Sequence, residues 1–438
     1  MNNWPYRPLS AFLIEREGRF KPNDPKIASY KRLDKIDFSG KIHISEKPSK
    51  TDMIIIEPGD LVISGINVAK GALAVYDGDE PLTATIHYSS YRFNENKIDI
   101  EFLKRFLKSP AFISELQDQV KGGIKTEIKP KHLLPLKARI PELAEQQKIN
   151  HYFDAVDNEI SDLSNEVNTQ SSYLTKLRQA ILQEAVEGKL TADWRKENPV
   201  RKGDPDYDAE ALLQKIQAEK EKLIKEGKIK KQKTLAPIKA EEVPFELPVG
   251  WVWTRFANVI DIESNLVQPR EYDDFIQIAP DDIEKGTGHL IGERKTVKEK
   301  MIISGNHLFF AGMLLYSKVR PRLRKIAAVD FEGLCSADMY PLKPWINNTY
   351  TLNIMLSDYF DEEVYKADNR VKMPKINQNQ LSTILIPVPP HAEQKAIVDR
   401  VEKLLSMVDE LEKQVTERKE QSEQLMQAVL REAFEGGK

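Results

Sequence analysis

One stretch of this sequence occurs twice, and the repeat limits the folds that the chain can adopt. Residues 140–190 and 388–438 superimpose without a gap at an offset of 248, and 15 of their 51 residue pairs are identical. The identical pairs include Pro141/Pro389, Ala144/Ala392, Glu145/Glu393, Gln146/Gln394 and Gly188/Gly436. A gapless repeat of this length indicates a duplication, so we expect two equivalent halves.

Each copy has the apolar spacing of a long helix that pairs with another helix. Apolar residues recur in alternating steps of four and three, which is the pattern of a heptad seam. The predicted interface consists of Ile149, Phe153, Val156, Ile160, Leu163, Val167 and Leu177 in the first copy and Ile397, Val401, Leu404, Val408, Leu411, Val415 and Leu425 in the second. Polar residues interrupt both seams at the same heptad, at Gln170 and Arg418.

A single long amphipathic helix leaves its apolar stripe uncovered, so we predict that the two copies pair as an antiparallel coiled coil. The prolines at the start and the glycines at the end suit a first helical turn and a helix C-cap. About 47 residues at ~1.5 Å each give a rod of roughly 70 Å. The alternative is that the two copies are separate coiled-coil dimerisation tails.

Composition indicates a multi-domain protein without a membrane span or a metal site. The chain has 438 residues, 40% hydrophobic and 30% charged, and its longest nearly apolar run, Leu308–Tyr316, is too short to cross a bilayer. The polar start lacks the features of a signal peptide, so we expect a cytoplasmic location. One cysteine, Cys335, excludes an internal disulfide, and the seven histidines show no zinc-ligand spacing, so we predict no metal.

Charge is distributed unevenly along the chain, although the net charge is only −3. Residues 1–140 contain 23 Lys and Arg against 18 Asp and Glu, whereas residues 141–190 contain 4 against 9. The first globular segment is therefore basic and the first helix acidic. We expect a polyanionic partner to contact the globular segments rather than the helices.

The sequence predicts an α+β protein in five segments, with an internal pseudo-two-fold repeat of two mixed globular domains and two long helices. Short β-rich runs such as Met53–Ile56 and turn signals such as Pro58-Gly59-Asp60 mark the globular parts. The segments are a first domain at 1–140, a first long helix at 141–190, a connector with a short helix at 191–249, a second domain at 250–390 and a second long helix at 391–438.

The second domain repeats short landmarks of the first. Trp251-Val-Trp253 corresponds to Trp4-Pro-Tyr6, Gly312–Ser317 to Gly59–Ser64, and Asn369–Lys372 to Gly122–Lys125. The offsets between these landmarks change and the residues between them align weakly. We infer that the structural frame is duplicated and the remainder has diverged.

Candidate DNA-contact residues cluster at two places. Five cations lie within eight residues at Lys318, Arg320, Arg322, Arg324 and Lys325. On a strand, alternation would present the first four on one face toward phosphates or guanine edges, although a solvated edge strand is the simpler interpretation. The second place combines glycines with cations, where a phosphate contact and a plain surface turn are both open; its residues are Gly122, Gly123 and Lys125, and the corresponding Arg370 and Lys372.

Motifs for catalysis are nearly absent. The sequence has no P-loop and no His-Glu-x-x-His, and Asn198-Pro199 lacks the remainder of an amino-methyltransferase motif. Pro280-Asp281 followed by Glu293-Arg-Lys295 fits a metal-dependent nuclease pattern, but such loose patterns arise often by chance. We predict a chain without catalytic residues.

The order of these segments resembles the specificity subunit of type I restriction-modification systems. The resemblance rests on the two Ala-Glu-Gln helices, Leu190-Thr-Ala-Asp-Trp194, the Leu-Pro-x-Gly-Trp motif at Leu247–Trp251 and Ser317-Lys-Val-Arg-Pro321. It implies that the globular segments are target recognition domains, each of which reads one half of a split site in double-stranded DNA. It also implies that the helices hold these domains apart and dock two methyltransferase subunits, and that restriction subunits, which carry motor and nuclease, join for cleavage.

The resemblance places S-adenosylmethionine, ATP and Mg²⁺ on the partner subunits and no cofactor on this chain. We therefore interpret the chain as a non-enzymatic reader of DNA sequence and an assembly scaffold. Two alternatives remain open from the residues alone. One is a single-chain restriction endonuclease, and the other is a coiled-coil interaction protein that does not bind DNA.

Overall fold

The computed structural model describes residues 4–45, 47, 49–70, 72–109, 112, 128–230, 235–367 and 374–435. The chain forms two compact units. Unit 1 contains Met1–Thr169 and Val415–Lys438, and unit 2 contains Gln170–Gln414. The division falls inside the two long helices, Leu143–Val186 and His391–Glu435, so each unit consists of a globular part and one half of each helix.

The globular part of unit 1 is built from two four-stranded sheets and one additional strand pair. The strands are β1 (Tyr6–Pro8), β2 (Leu13–Glu15), β3 (Lys31–Ile36), β4 (Ile42–Ser45), β5 (Met53–Ile56), β6 (Leu61–Ser64), β7 (Leu73–Val75), β8 (Leu82–Thr85), β9 (Tyr88–Phe93) and β10 (Lys137–Arg139). Sheet β2-β9-β6-β7 is antiparallel, sheet β4-β3-β8-β5 contains the parallel pair β3-β8, and β1 pairs with β10. The helices are α1 (Ile100–Lys108), α2 (Pro130–Leu133) and the long helix α3 (Leu143–Val186).

Unit 2 repeats this plan after a connector. Its described helices are α4 (Ala192–Glu197), α5 (Ala209–Lys225), α6 (Phe256–Val259), α7 (Asn348–Leu356), α8 (Asp358–Ala367), α9 (Gln378–Thr383) and the long helix α10 (His391–Glu435). Its described strands are β11 (Val252–Arg255), β12 (Ile260–Ile262), β13 (Leu266–Val267), β14 (Ile276–Ile278), β15 (Asn306–Phe309), β16 (Leu314–Ser317), β17 (Ile326–Ala328), β18 (Gly333–Ser336), β19 (Met339–Pro344) and β20 (Leu385–Val388).

The strand order confirms that the frame is duplicated. Sheet β12-β19-β16-β17 has the order of β2-β9-β6-β7, and β11-β20 corresponds to β1-β10. The three strands β14-β18-β15 reproduce β3-β8-β5, including one parallel and one antiparallel pair. Gly59 and Gly312 precede equivalent strands, and both have φ of +84°, a conformation that glycine adopts without steric cost. The predicted α+β fold with an internal repeat is therefore correct.

The gapless repeat begins earlier than the sequence indicated. At the same offset of 248, Asp99 and Asn347 cap the starts of α1 and α7 through side-chain oxygens. Ser109 and Ser357 follow the ends of these helices, and each donates its hydroxyl to a carbonyl of the last turn. Sequence identity is low in this region because the caps need only a side chain of the right hydrogen-bonding type.

The paired glutamines of the repeat connect each long helix to its globular part. Gln146 is fully buried; its Oε1 accepts from Asp99 N at 2.7 Å and its Nε2 donates to Pro141 O at 2.8 Å. Gln394 makes the same bonds with Asn347 N at 2.8 Å and Pro389 O at 3.0 Å. A buried amide with these partners cannot be exchanged for an apolar side chain without leaving backbone groups unsatisfied.

The two long helices pair in opposite directions in both units. In unit 1, Phe153 near the start of α3 and Val429 near the end of α10 belong to one buried cluster, together with aromatic residues of α1. In unit 2, Arg178 near the end of α3 forms ion pairs with Asp409 and Glu412 of α10. The helices therefore cover the apolar stripes of each other, as an antiparallel coiled coil does.

Three residues of the predicted seam are exposed, whereas the others are buried or half-buried. Leu177, Leu411 and Leu425 are exposed, whereas Phe153, Val167, Ile397, Val401, Val408 and Val415 are buried, and Ile149, Val156, Ile160, Leu163 and Leu404 are half-buried. Beyond Gln170 the buried face of α3 passes through Leu174 and Ile181, with the half-buried Arg178 between them. The ion pairs of Arg178 with Asp409 and Glu412 therefore lie on this face of the helices, next to the exposed Leu177 and Leu411 in the sequence.

Candidate DNA interface and helix junction

The basic segment of unit 2 is not the predicted strand. β16 ends at Ser317, and Pro321–Leu323 forms a single 3₁₀ turn between Arg320 and Arg324. Both of these arginines have φ of +48°, a left-handed conformation that costs energy for residues other than glycine. Side chains therefore do not alternate along one face, and each of the five cations has its own environment.

Arg324 is a structural residue of unit 2. Its side chain is only 17% exposed, and it donates to Asp358 Oδ1 at 2.7 Å, Asp361 Oδ2 at 3.1 Å and the carbonyl of Leu356 at 3.1 Å. It also donates to Gln179 Oε1 on α3 at 2.7 Å. These acceptors lie at the end of α7, in α8 and in the long helix α3, so the guanidinium joins the three helices. One of them, Asp361, is itself buried.

Two further cations are also engaged within the unit. Lys325 Nζ donates to the carbonyl of Pro280 at 2.8 Å and lies 3.4 Å from Asp281. Lys318 Nζ lies 5.1 Å from the centre of the Tyr340 ring, within the range of a cation–π contact.

Arg320 and Arg322 have the accessible charge of this segment. The Arg322 side chain is 62% exposed, and its guanidinium stacks 5.0 Å from the Tyr365 ring and lies 3.4 Å from Asp361. The Arg320 side chain is exposed and pairs with no carboxylate among the residues that the structure describes. DNA contact by any of the five cations stays a prediction, and these two suit it best. The predicted glycine and cation positions Gly122, Gly123, Lys125, Arg370 and Lys372 lie outside the described residues.

A buried carboxylate at the start of α10 forms the centre of a junction in unit 2. Glu393 is 1% exposed, and its two oxygens accept from Trp251 Nε1 at 2.8 Å and from Thr191 Oγ1 at 2.7 Å. Arg195 donates to the same carboxylate and, at 2.7 Å, to the carbonyl of Gly188. Residues that follow α3, the residue that precedes β11 and the start of α10 therefore meet at one charge.

Gly188 is required at this junction by its conformation and by its neighbours. It has φ of +71°, and a Cβ atom there would lie 2.7 Å from Pro248 Cγ and 2.9 Å from Trp251 Cζ2. Asp193 of the connector forms an ion pair with Arg400 of α10, and the hydrogen bonds from Arg400 lower the pKa of Asp193 to about 2. Leu190–Trp194 and Leu247–Trp251, two separate sequence motifs, thus belong to one structural site.

The equivalent carboxylate in unit 1 has a different environment. Glu145 occupies the position of Glu393 in the repeat, yet its side chain is 48% exposed and lies 3.5 Å from Lys148. The two glutamates are an identical pair in the sequence repeat, and the sequence does not indicate that only Glu393 is buried. The indole of Trp251 and the hydroxyl of Thr191 are far from Glu393 in the sequence.

The loose nuclease pattern does not form a recognisable metal site in the described part of the chain. Asp281 faces Lys325, and Glu293 lies 3.7 Å from Lys295. Among the described residues, no group of three or more acidic, histidine or cysteine side chains could hold a metal ion. None of the described helices has the length and apolar character needed to span a membrane.

Comparison with known proteins identifies the family. The sequence profile of the type I restriction modification DNA specificity domain matches residues 286–421. The EcoDI specificity subunit of Escherichia coli is 33% identical over 339 residues, which cover 77% of this chain and 70% of that protein. The chain belongs to the type I restriction enzyme specificity subunits. The predicted resemblance is therefore confirmed.

Two further comparisons are consistent with this family. The EcoAI specificity subunit of Escherichia coli is 30% identical over 59% of this chain and 44% of its own length. A solved structure from a study of complex assembly and conformational transition of the type I R-M system covers 100% of this chain and 98% of its own, with a TM-score of 0.62 at 16% identity. At this identity the likeness concerns the fold. As a specificity subunit, the chain belongs to the DNA-recognition subunits and not to the catalytic ones.

Replacing Arg324 and Arg320 by alanine should separate a structural cation from an exposed one. Arg324→Ala leaves the buried Asp361 without its main partner, so we expect a loss of about 3 kcal/mol in the free energy of unfolding. Arg320→Ala removes an exposed side chain and should change it by less than about 0.5 kcal/mol. Denaturant titration of both variants checks this, and equal effects would contradict the structural assignment of Arg324.

The two glutamates of the repeat provide a matched pair for testing the junction. Glu393→Ala leaves Arg195, Trp251 and Thr191 without their shared acceptor, and we expect it to lower the free energy of unfolding by about 3 kcal/mol. Glu145→Ala should cost less than about 1 kcal/mol because its carboxylate is solvated. Thermal unfolding of the two variants side by side is the measurement. A cost that is the same at both positions would mean that the junction does not stabilise unit 2.

Proposed function

We propose that this specificity subunit reads a bipartite target in double-stranded DNA, with the globular part of unit 1 reading one half and that of unit 2 the other. The observation that supports the proposal is the duplicated strand frame, which gives each unit an equivalent scaffold with its own surface residues. A reader built in this way recognises two different half-sites because the frame is constant while the exposed side chains differ.

The partners in this proposal are those that the family implies. Two methyltransferase subunits dock on the long helices, and restriction subunits join for DNA cleavage. Leu177 and Leu411, which are exposed on the helices of unit 2, provide apolar surface suited to a partner subunit. S-adenosylmethionine, ATP and Mg²⁺ are proposed to bind these partners rather than this chain, and the complex is proposed to act in the cytoplasm.

This function is favoured over the two alternatives. Relatives of this chain are named as specificity subunits, and none of those compared is named as an endonuclease. A coiled-coil protein without DNA binding would not need the two globular parts, and the matched profile describes a DNA specificity domain. In this proposal the long helices are the scaffold and the two globular parts recognise DNA.

Arg320 and Arg322 are proposed to contact phosphates of the DNA backbone. Each neutralised phosphate releases condensed counterions, so the binding constant falls with salt by ~0.9 log units per log unit of salt for each contact. We expect Arg320→Gln with Arg322→Gln to weaken binding by the assembled complex and to reduce this slope by about 1 to 2. Binding measured over a salt series checks the prediction, and an unchanged slope would place both arginines away from the DNA.

Exchange of one globular part tests the assignment of one half-site to each unit. Residues 1–140 are replaced by the corresponding segment of another specificity subunit, and the complete system is expressed in cells. Methylome sequencing should then show that one half of the target has changed while the other half is retained. Changes in both halves, or in neither, would contradict the proposed division of recognition.

A further inference from the structure

An exposed apolar tip in unit 2 is not explained by the packing of the domain. Met301 is 82% exposed and Ile303 is 92% exposed, and both belong to the turn that leads into β15. Leu266, another exposed residue, lies beside this turn, since a Cβ atom on Gly305 would be 3.7 Å from Leu266 Cδ2. Large apolar side chains that are clustered and exposed mark a surface that binds a partner.

The turn that presents this tip is held in place by several bonds. Lys300 Nζ donates to the carbonyl of Gln277 at 2.8 Å and pairs with Asp282 at 2.6 Å. The amides of Met301 and Ile302 donate to the carbonyls of Lys298 and Val297 at 3.1 Å. A tip fixed in this way loses little conformational entropy when it binds.

The backbone of Met301 has an unusual conformation. Met301 has φ of +52°, and it is one of three described residues other than glycine with positive φ; the others are Arg320 and Arg324. Holding a methionine in the left-handed region costs energy, and such strain concentrates at functional positions. Met301 therefore combines a strained backbone with an exposed side chain.

Exposed cations beside the tip point to a nucleic acid as its partner. Arg294, Lys295 and Lys298 are exposed within seven residues of Met301. Two acids lie in the same segment: Glu293 is 3.7 Å from Lys295, and Glu299 accepts from Thr296 N at 2.7 Å. An apolar point next to exposed cations suits contact with bases, because the cations neutralise adjacent phosphates while the apolar side chains reach the base edges or a base step.

The duplicated frame provides a comparison within the chain. β5 and β15 are equivalent strands at an offset of 253, so the residue three positions before β5, Lys50, corresponds to Ile303. Lys50 is exposed as well. The same position of the frame is therefore cationic in unit 1 and apolar in unit 2, as expected where the two units read different bases.

We propose that Met301 and Ile303 contact base pairs in the half-site that unit 2 reads, through apolar contact with thymine methyl groups or by insertion at a base step. This inference rests on the proposed function and assigns its specificity in unit 2 to a named tip. Apolar groups discriminate bases through shape and methyl contact, and they contribute no counterion release.

The test uses the assembled methyltransferase complex and a duplex that carries the target defined by methylome sequencing. The variant combines Met301→Asn, which tolerates the left-handed conformation, with Ile303→Ser. We expect affinity for the target duplex to fall by roughly tenfold or more, while affinity for a scrambled duplex and the salt slope stay the same. The methylome of cells with this variant should show relaxed specificity in one half-site.

Two control variants separate the other outcomes. Val243→Ala removes a different exposed apolar side chain of unit 2, in the connector, and should leave binding unchanged. Arg320→Gln should change the salt slope and leave the methylated sequence the same. The thermal unfolding temperature of the double variant should not fall below that of the original protein, because both side chains are exposed and Asn tolerates the left-handed conformation.

The inference is overturned if target affinity and methylation pattern are unaffected, or if affinity for both duplexes falls equally. Loss of assembly with the methyltransferase subunits would also overturn it, since the tip would then be a protein contact. Failure of the proposed function is a separate result, in which the complex with the original chain shows no preference for the target duplex over the scrambled one.

Discussion

The pairing of two long amphipathic helices within one chain is the constraint on which the rest of the structure depends. Neither helix is stable alone in water with its apolar stripe uncovered, so the two must fold together. One lies at residues 143–186 and the other at 391–435, and each unit contains one half of each. Unit 1 therefore cannot be completed by the first part of the sequence alone, because Val429 belongs to its core. Contacts between the two ends of the chain are part of the fold and not an addition to it.

Polar residues fix how these helices join the globular parts. Gln146 and Gln394 make the same buried bonds in each unit, to the backbone N–H of the residue that caps α1 or α7 and to the carbonyl of the proline two residues before the long helix. Arg178 and its two acidic partners then interrupt the apolar seam in unit 2. Apolar contacts between helices tolerate shifts in register, whereas a paired charge at one level restricts the alignment. Stability and alignment in this pair thus come from different residues.

The sequence allowed the duplication, the long helices and the family to be predicted because each depends on periodicity or on residue order. Positions that depend on tertiary partners could not be predicted in this way. Arg324 was indistinguishable from Arg320 in the sequence, yet its partners come from two other helices, Asp358 and Asp361 from α8 and Gln179 from α3. Leu177 fitted the heptad, but the buried face of the helix passes through Arg178 at that level. Glu393 and Glu145 were an identical pair, and only the fold brings Trp251 and Thr191 to one of them.

Duplication followed by divergence explains why recognition can change while assembly is maintained. The order of the equivalent strands, the glycine before β6 and β16, the helix caps and the buried glutamines recur in both units, since each satisfies a backbone requirement of the shared frame. Positions such as Lys50 and Ile303 meet no such requirement, because their side chains are exposed and the frame does not depend on them. A substitution at such a tip changes what the surface contacts and leaves the free energy of unfolding nearly unchanged. The residues that maintain the frame are therefore different from the exposed residues proposed to contact DNA, which is the physical condition for a reader whose target can diverge without loss of its fold.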